Sequence, residues 1–126
     1  MSSPYDDRAY QSLQAAAFGD WAMTITALLD EVKNVVHEVE PTADVILFGS
    51  RARGEASIDS DWDFLVLVTG TADDLRVDTI RHRLYEIEWT SGEVLSSIVW
   101  SREEWDSDPY RLMPLHQHIE KEGVRL

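Results

Sequence analysis

The stretch Val45-Ile46-Leu47-Phe48-Gly49-Ser50-Arg51-Ala52-Arg53-Gly54-Glu55-Ala56-Ser57-Ile58-Asp59-Ser60-Asp61-Trp62-Asp63-Phe64-Leu65-Val66-Leu67-Val68 decides the fold. Val45 to Phe48 is short and wholly apolar, and Gly49 closes it, the pattern of a buried strand. Ser50 to Ser60 is polar and carries Arg51, Arg53 and Gly54, which predicts a short helical turn or loop. Phe64 to Val68 is again apolar, with Trp62 leading in, so a second buried strand is expected.

Upstream, residues 1–40 read as helix. An early stretch runs roughly from Asp6 to Phe18, and Gly19-Asp20 interrupts it. Asp20 can cap a second helix. Trp21, Ile25, Leu28, Leu29, Val32, Val35, Val36 and Val39 recur there at helical spacing and make one apolar stripe. Pro41 ends it. Downstream, Thr71 is expected to cap a helix over roughly Ala72 to Trp89, with Val77, Ile80, Leu84 and Ile87 on its buried face. Ser91-Gly92 turns the chain into a third strand over Val94 to Trp100. Ser101 with Glu104 fits a capping box. Asp108-Pro109 is expected to open a last helix reaching about Glu122, stopped by Gly123. The order predicts an α+β class with a small sheet. One domain is expected over 1–126, with N-terminal helices in 1–40, a sheet core in 45–100 and C-terminal helices in 101–126.

Composition narrows the function classes. The 126 residues include no Cys, which removes disulfides, thiolate zinc sites and Cys nucleophiles, and is compatible with a reducing, cytoplasmic setting. No run approaches the roughly 18 apolar residues of a membrane span. Met1 to Asp7 lacks the basic start and apolar run of a secretion signal. The net charge of −13 repels phosphate backbones, which argues against broad nucleic-acid binding and favours a basic protein partner.

The chemistry sits between the first two strands. Asp61 and Asp63 are two apart and so share one face of a strand. Paired carboxylates offer the hard oxygens that Mg²⁺ takes when it also binds substrate phosphates. Gly49 lets the backbone approach a phosphate, Ser50 adds a hydroxyl donor, and free N–H groups at a helix start bind anions. Arg51 and Arg53 follow at once and can neutralise triphosphate charge.

Gly49-Ser50, ten residues, then Asp61-Trp62-Asp63 resembles the signature of the DNA polymerase β-type nucleotidyltransferase superfamily. The wording Gly-Ser-Arg-Ala-Arg-Gly-Glu-Ala and Ser-Asp-Trp-Asp-Phe-Leu-Val is similar to the minimal nucleotidyltransferases of bacteria and archaea. The ending Ile119-Glu120-Lys121-Glu122-Gly123-Val124 is similar to the close of those chains. The resemblance implies a small mixed sheet flanked by helices. It implies that Gly49 and Ser50 grip the terminal phosphates of a nucleoside triphosphate, with ATP as the expected substrate. Asp61 and Asp63 would then coordinate two Mg²⁺ ions. Short chains of this type are often antitoxins that transfer AMP to a hydroxyl of a small helical HEPN-type toxin, and an acidic surface suits a basic ribonuclease.

The family's third catalytic carboxylate sits on a later strand beside the Asp-x-Asp strand. Here that strand holds Ser96 and Ser97 in its middle, and Glu93 at its entrance is the nearest candidate, with Glu88 further off. This departure keeps a second reading open, a binding module that neutralises its partner by contact alone. A third reading, an antibiotic-modifying enzyme, needs an additional helical domain or a second copy of the chain to complete the acceptor site. His116 and His118 diverge on a helix and make no metal pair. His37 and His82 read as surface or boundary residues. Trp62 is expected to point away from the carboxylates, and Trp89, Trp100 and Trp105 to serve the core or an interface.

Overall fold

The computed structural model describes residues 20–56 and 60–126, with side chains from residue 25 onward. The expectations for Asp6 to Phe18 and for the Asp20 and Trp21 side chains fall outside these. Helix α1 spans Asp20–Val39 and buries Leu28, Leu29, Val32 and Val36, the anticipated stripe. It ends before Pro41, where Ala43 N–H bonds to the Glu40 carbonyl and His37 Nε2 donates to the Ala43 carbonyl at 2.9 Å.

Strand β1 (Asp44–Phe48) leads through Gly49 into a single-turn helix α2 (Ser50–Arg53), and strand β2 (Trp62–Val68) follows. Helix α3 (Asp74–Ser91) then crosses to strand β3 (Leu95–Ser101). Asp73, rather than Thr71, caps α3. Its extended backbone turns the carboxylate onto the Arg76 N–H at 2.9 Å, while the Thr71 carbonyl accepts from the Arg76 guanidinium. Arg76 also grips Glu40 with two bonds of 2.9 and 2.6 Å, tying the start of α3 to the end of α1.

Ser101 caps the short helix α4 (Arg102–Trp105), accepting from the Glu104 N–H as the capping-box pattern predicts. The long last helix expected from Pro109 is broken. A 3-10 turn occupies Tyr110–Leu112, and helix α5 runs over Pro114–Glu122. Pro114 holds Met113 in an extended conformation, so the helix can begin only after it. Gly123 ends the helix, as expected. The chain then enters a short strand β4 (Val124–Arg125), missed in the sequence because two residues carry no periodicity.

The sheet order is β3-β2-β1-β4, with β2–β3 parallel and the other pairs antiparallel. It is the small mixed sheet expected, and the helices cover both faces. α1 and α3 pack on Val45, Leu47, Phe64, Val66 and Val68. Trp105 of α4 and Ile119 of α5 pack on Ile46, Leu65 and Leu67. Burial on both faces is why β1 and β2 read as continuous apolar runs rather than alternating ones. Each fully buried Leu, Ile or Phe contributes about 1.5–3 kcal/mol.

Candidate nucleotide site

β1 ends and β2 begins at one end of the sheet. The antiparallel register sets Phe48 opposite Asp63, so the Gly49-Ser50 turn leaves β1 beside the aspartates. Gly49 has φ 76 and ψ −160, a region essentially confined to glycine. A Cβ built on it would stand 2.5 Å from Asp63 Oδ2. The turn and the carboxylate are therefore in direct contact, and glycine is required both by the backbone and by its neighbour. Ala52 and Arg53 N–H both bond back to the Gly49 carbonyl at 3.1 Å, which forms α2. Helix starts receive anions on N–H groups that lack an acceptor within the helix, and those of Ala52 and Arg53 are already bonded, which leaves the Gly49-Ser50 backbone ahead of them as the place for a phosphate.

Asp63 is half-buried and Asp61 exposed. Burial pushes the Asp63 carboxyl above the usual aspartate range, the Asp61 charge pushes it further, and the nearby Arg53 guanidinium opposes both. Arg53 reaches this side of the sheet held between Glu55 (3.1 Å) and Glu122 at the end of α5 (3.0 Å).

Arg51 does not join Arg53. Its Nη2 and Nε donate to the Ser60 carbonyl at 2.9 and 3.2 Å, fastening the backbone just before Asp61. The guanidinium lies 4.4 Å from the Trp62 ring centroid. Trp62 is buried among the α1–α3 core, pointing away from Asp63 as strand alternation requires. Arg51, Trp62 and Glu93 line a cavity of about 400 Å³ together with Leu28 of α1.

Glu93 therefore lies on the α1 side of the sheet and is not brought to the aspartates. Its Oε2 accepts from Trp62 Nε1 at 3.2 Å and stands 4.0 Å from Arg51 Nη2. The cause is register. β2 and β3 are parallel with Trp62 opposite Leu95 and Asp63 opposite Ser96, so Ser96 shares the Asp63 face. Glu88 is spent elsewhere, accepting from the Leu95 N–H at 2.7 Å.

The sequence profile of the nucleotidyltransferase domain family matches residues 29–111. The chain belongs to this family. The matched span of the nucleotidyltransferase domain contains Gly49, Ser50, Asp61, Asp63 and Ser96. One chain of a solved structure, a crystal structure of a toxin-antitoxin with AMP-PNP, is similar in fold. It has a TM-score of 0.55 and 18% identity over 76% of this chain and 69% of that chain. No curated protein sequence matches.

Among the described residues of the domain, no cluster of three or more metal-ligating side chains occurs, and no helix is long and apolar enough to cross a membrane. Two contributors escaped the sequence reading: Glu122 on Arg53, and the Ser60 carbonyl under Arg51. Both depend on how the chain folds back on α2, which residue types alone do not show. His116 and His118 make no pair: His116 is buried against Trp105 and His118 is exposed.

Proposed function

We propose that this domain transfers AMP from ATP to a hydroxyl of a partner toxin and so silences it. The observation that carries the reading is the contact of the Gly49 backbone with the Asp63 carboxylate, which sets a phosphate-binding turn against a pair of acidic ligands. Gly49 and Ser50 would receive the terminal phosphates, and Arg53 would exchange a carboxylate partner for a phosphate oxygen. Asp61 and Asp63 fit a divalent cation by their chemistry, since two crowded carboxylates, one with raised proton affinity, gain from a positive charge between them. Magnesium, when bound there, would neutralise triphosphate charge. The acceptor oxygen would bond to the α-phosphorus as the bridging oxygen leaves with pyrophosphate, the hydroxyl proton passing to solvent. Such transfer depends mainly on positioning and charge, which suits a site with few groups.

A toxin as acceptor is supported by the fold shared with a chain of a toxin-antitoxin crystallised with AMP-PNP, an ATP analogue. The net charge of −13 suits docking on a basic, small helical partner of the HEPN type. ATP as donor is in keeping with a cytoplasmic setting.

The test is transfer of label from α-³²P-ATP, with Mg²⁺, to the product of the neighbouring gene. Label should reach that protein and be lost in the Asp61→Ala, Asp63→Ala double variant. The second reading, neutralisation by contact alone, is favoured by Ser96 standing where an acid would complete the set. It prevails if the double variant silences the partner as well as the unaltered chain does.

A further inference from the structure

β3 is an edge strand, and among the described residues it pairs only with β2. Trp62 N–H bonds to the Val94 carbonyl at 2.9 Å, so the main-chain groups of Val94 and Ser96 point toward β2. Those of Leu95, Ser97 and Val99 therefore point outward. Glu88 covers one of them, the Leu95 N–H, at 2.7 Å.

Exposed edges are normally guarded by charge, proline, a bulge or short length. The β3 sequence Leu95-Ser96-Ser97-Ile98-Val99-Trp100-Ser101 has no charge and no proline over seven residues. The opposite edge, β4, is only two residues long. Grooves of about 240 and 360 Å³ flank the two halves of the β3 edge, and Arg81 lines both. Beside the first, Tyr85 and Trp89 meet edge to face at 6.2 Å while 55% and 76% exposed, and Val94 is 56% exposed. Exposed aromatic pairs of this kind on a packed helix mark contact surfaces.

We infer that the β3 edge docks an extended, lysine- or arginine-rich segment of a partner protein. That segment adds as a further strand, and its side chains cover Tyr85 and Trp89. Strand addition supplies main-chain bonds to Ser97 and Val99, and the two grooves receive side chains. Charge decides between occupants. A second copy would bring another −13 against the first, whereas a basic segment is attracted to the chain as a whole and meets Glu88 in one groove and Glu104 in the other, each offsetting the shared Arg81. The outward edge of β3 faces away from β2, which carries Asp63, so the inference stands apart from nucleotidyl transfer.

The probe is a fluorescein-labelled peptide of alternating lysine and valine, titrated against the whole chain at low salt. Binding is expected, with about tenfold weakening on Trp89→Ala, and similar weakening when alternate peptide nitrogens are methylated. Ser97→Pro removes an outward N–H without touching the β2 ladder and should act likewise. The Asp61→Ala, Asp63→Ala variant, which loses two negative charges but keeps the edge, should weaken binding far less than Trp89→Ala does, which separates this result from the fate of the transfer reading. Three outcomes overturn the inference. One is no binding at about 1 mM peptide, another is equal binding of the methylated peptide. The third is slow hydrogen exchange at the Ser97 and Val99 amides of the free chain, since the edge would then already be covered by the chain itself or a second copy.

Discussion

The carboxylate of Asp63 occupies the space a side chain on Gly49 would need, with Oδ2 2.5 Å from the position of the missing Cβ. This contact joins the end of β1 to the start of β2 and makes one unit of the turn and the acid. Gly49→Ala must both displace Asp63 and hold an unfavourable backbone, at a cost of about 1–3 kcal/mol. Thermal melting should record the loss, and titration with ATP and Mg²⁺ should show affinity falling further than the melting shift alone explains. Unchanged nucleotide affinity would remove the contact from the site's chemistry.

Asp63 also sets a pH dependence. Its carboxyl is held above the ordinary value in the folded chain, first by burial and then by Asp61. The folded state thus holds this proton more tightly than the unfolded chain. The stability it lends is full below the ordinary aspartate pKa of about 4 and is lost as pH rises through the raised value. Asp63→Asn should therefore raise the melting temperature at pH 7 and change it little near pH 3.5. Mg²⁺ should stabilise the unaltered chain at pH 7 but not this variant.

Arg51 acts on the backbone that presents Asp61. It donates twice to the Ser60 carbonyl and lies against Trp62. Arg51→Ala should cost about 1–3 kcal/mol, from a charged hydrogen-bond pair and a cation–π contact. Arg51→Lys should recover only part, since an ammonium cannot keep the planar fork. If Arg51 gripped phosphate instead, the alanine variant would keep its melting temperature and lose only nucleotide affinity.

Ser96→Asp places a carboxylate opposite Asp63 on the same face. Without metal the third acid should lower the melting temperature through like-charge repulsion. With an ATP analogue present, calorimetry should find Mg²⁺ affinity raised on the order of tenfold, as ligand charge increases. A variant that binds Mg²⁺ no better would show that β3 stands too far from Asp63 to complete the set.

His116 is fully buried, stacked on Trp105 at 4.4 Å, and neither ring nitrogen has a hydrogen-bond partner, the Glu120 carboxylate standing 3.7 Å from Nδ1. Phenylalanine keeps the stack and removes the unsatisfied groups. His116→Phe should stabilise the domain by about 1 kcal/mol, measured by urea unfolding. A loss of that size would mean the ring nitrogens are satisfied in solution.

What the sequence could tell followed the reach of its signals. β1 and β2 were legible because Val45 to Phe48 and Phe64 to Val68 are buried on both faces, and α1 because its stripe repeats over five turns. The meeting of Gly49 with Asp63 followed from two strands joined by one short segment. β4 was not legible, since Val124 and Arg125 owe their strand to Ile46 and Leu47 far up the chain. Arg51 and Arg53 were read alike because adjacent residue types do not reveal that α2 sends one to the Trp62 side and the other to Glu122. Glu93 was the nearest acid along the chain, but β2–β3 register, invisible in one sequence, gave its place beside Asp63 to Ser96.

The parts that touch at the Gly49–Asp63 contact are only fourteen positions apart in the chain. Bringing them together closes a short loop, at small entropic expense compared with recruiting β4 from the far end. Pairings of low sequence separation form fastest. The β1–β2 hairpin can therefore be expected to organise early during folding, with β3 and β4 added to a sheet whose reactive end is already in place.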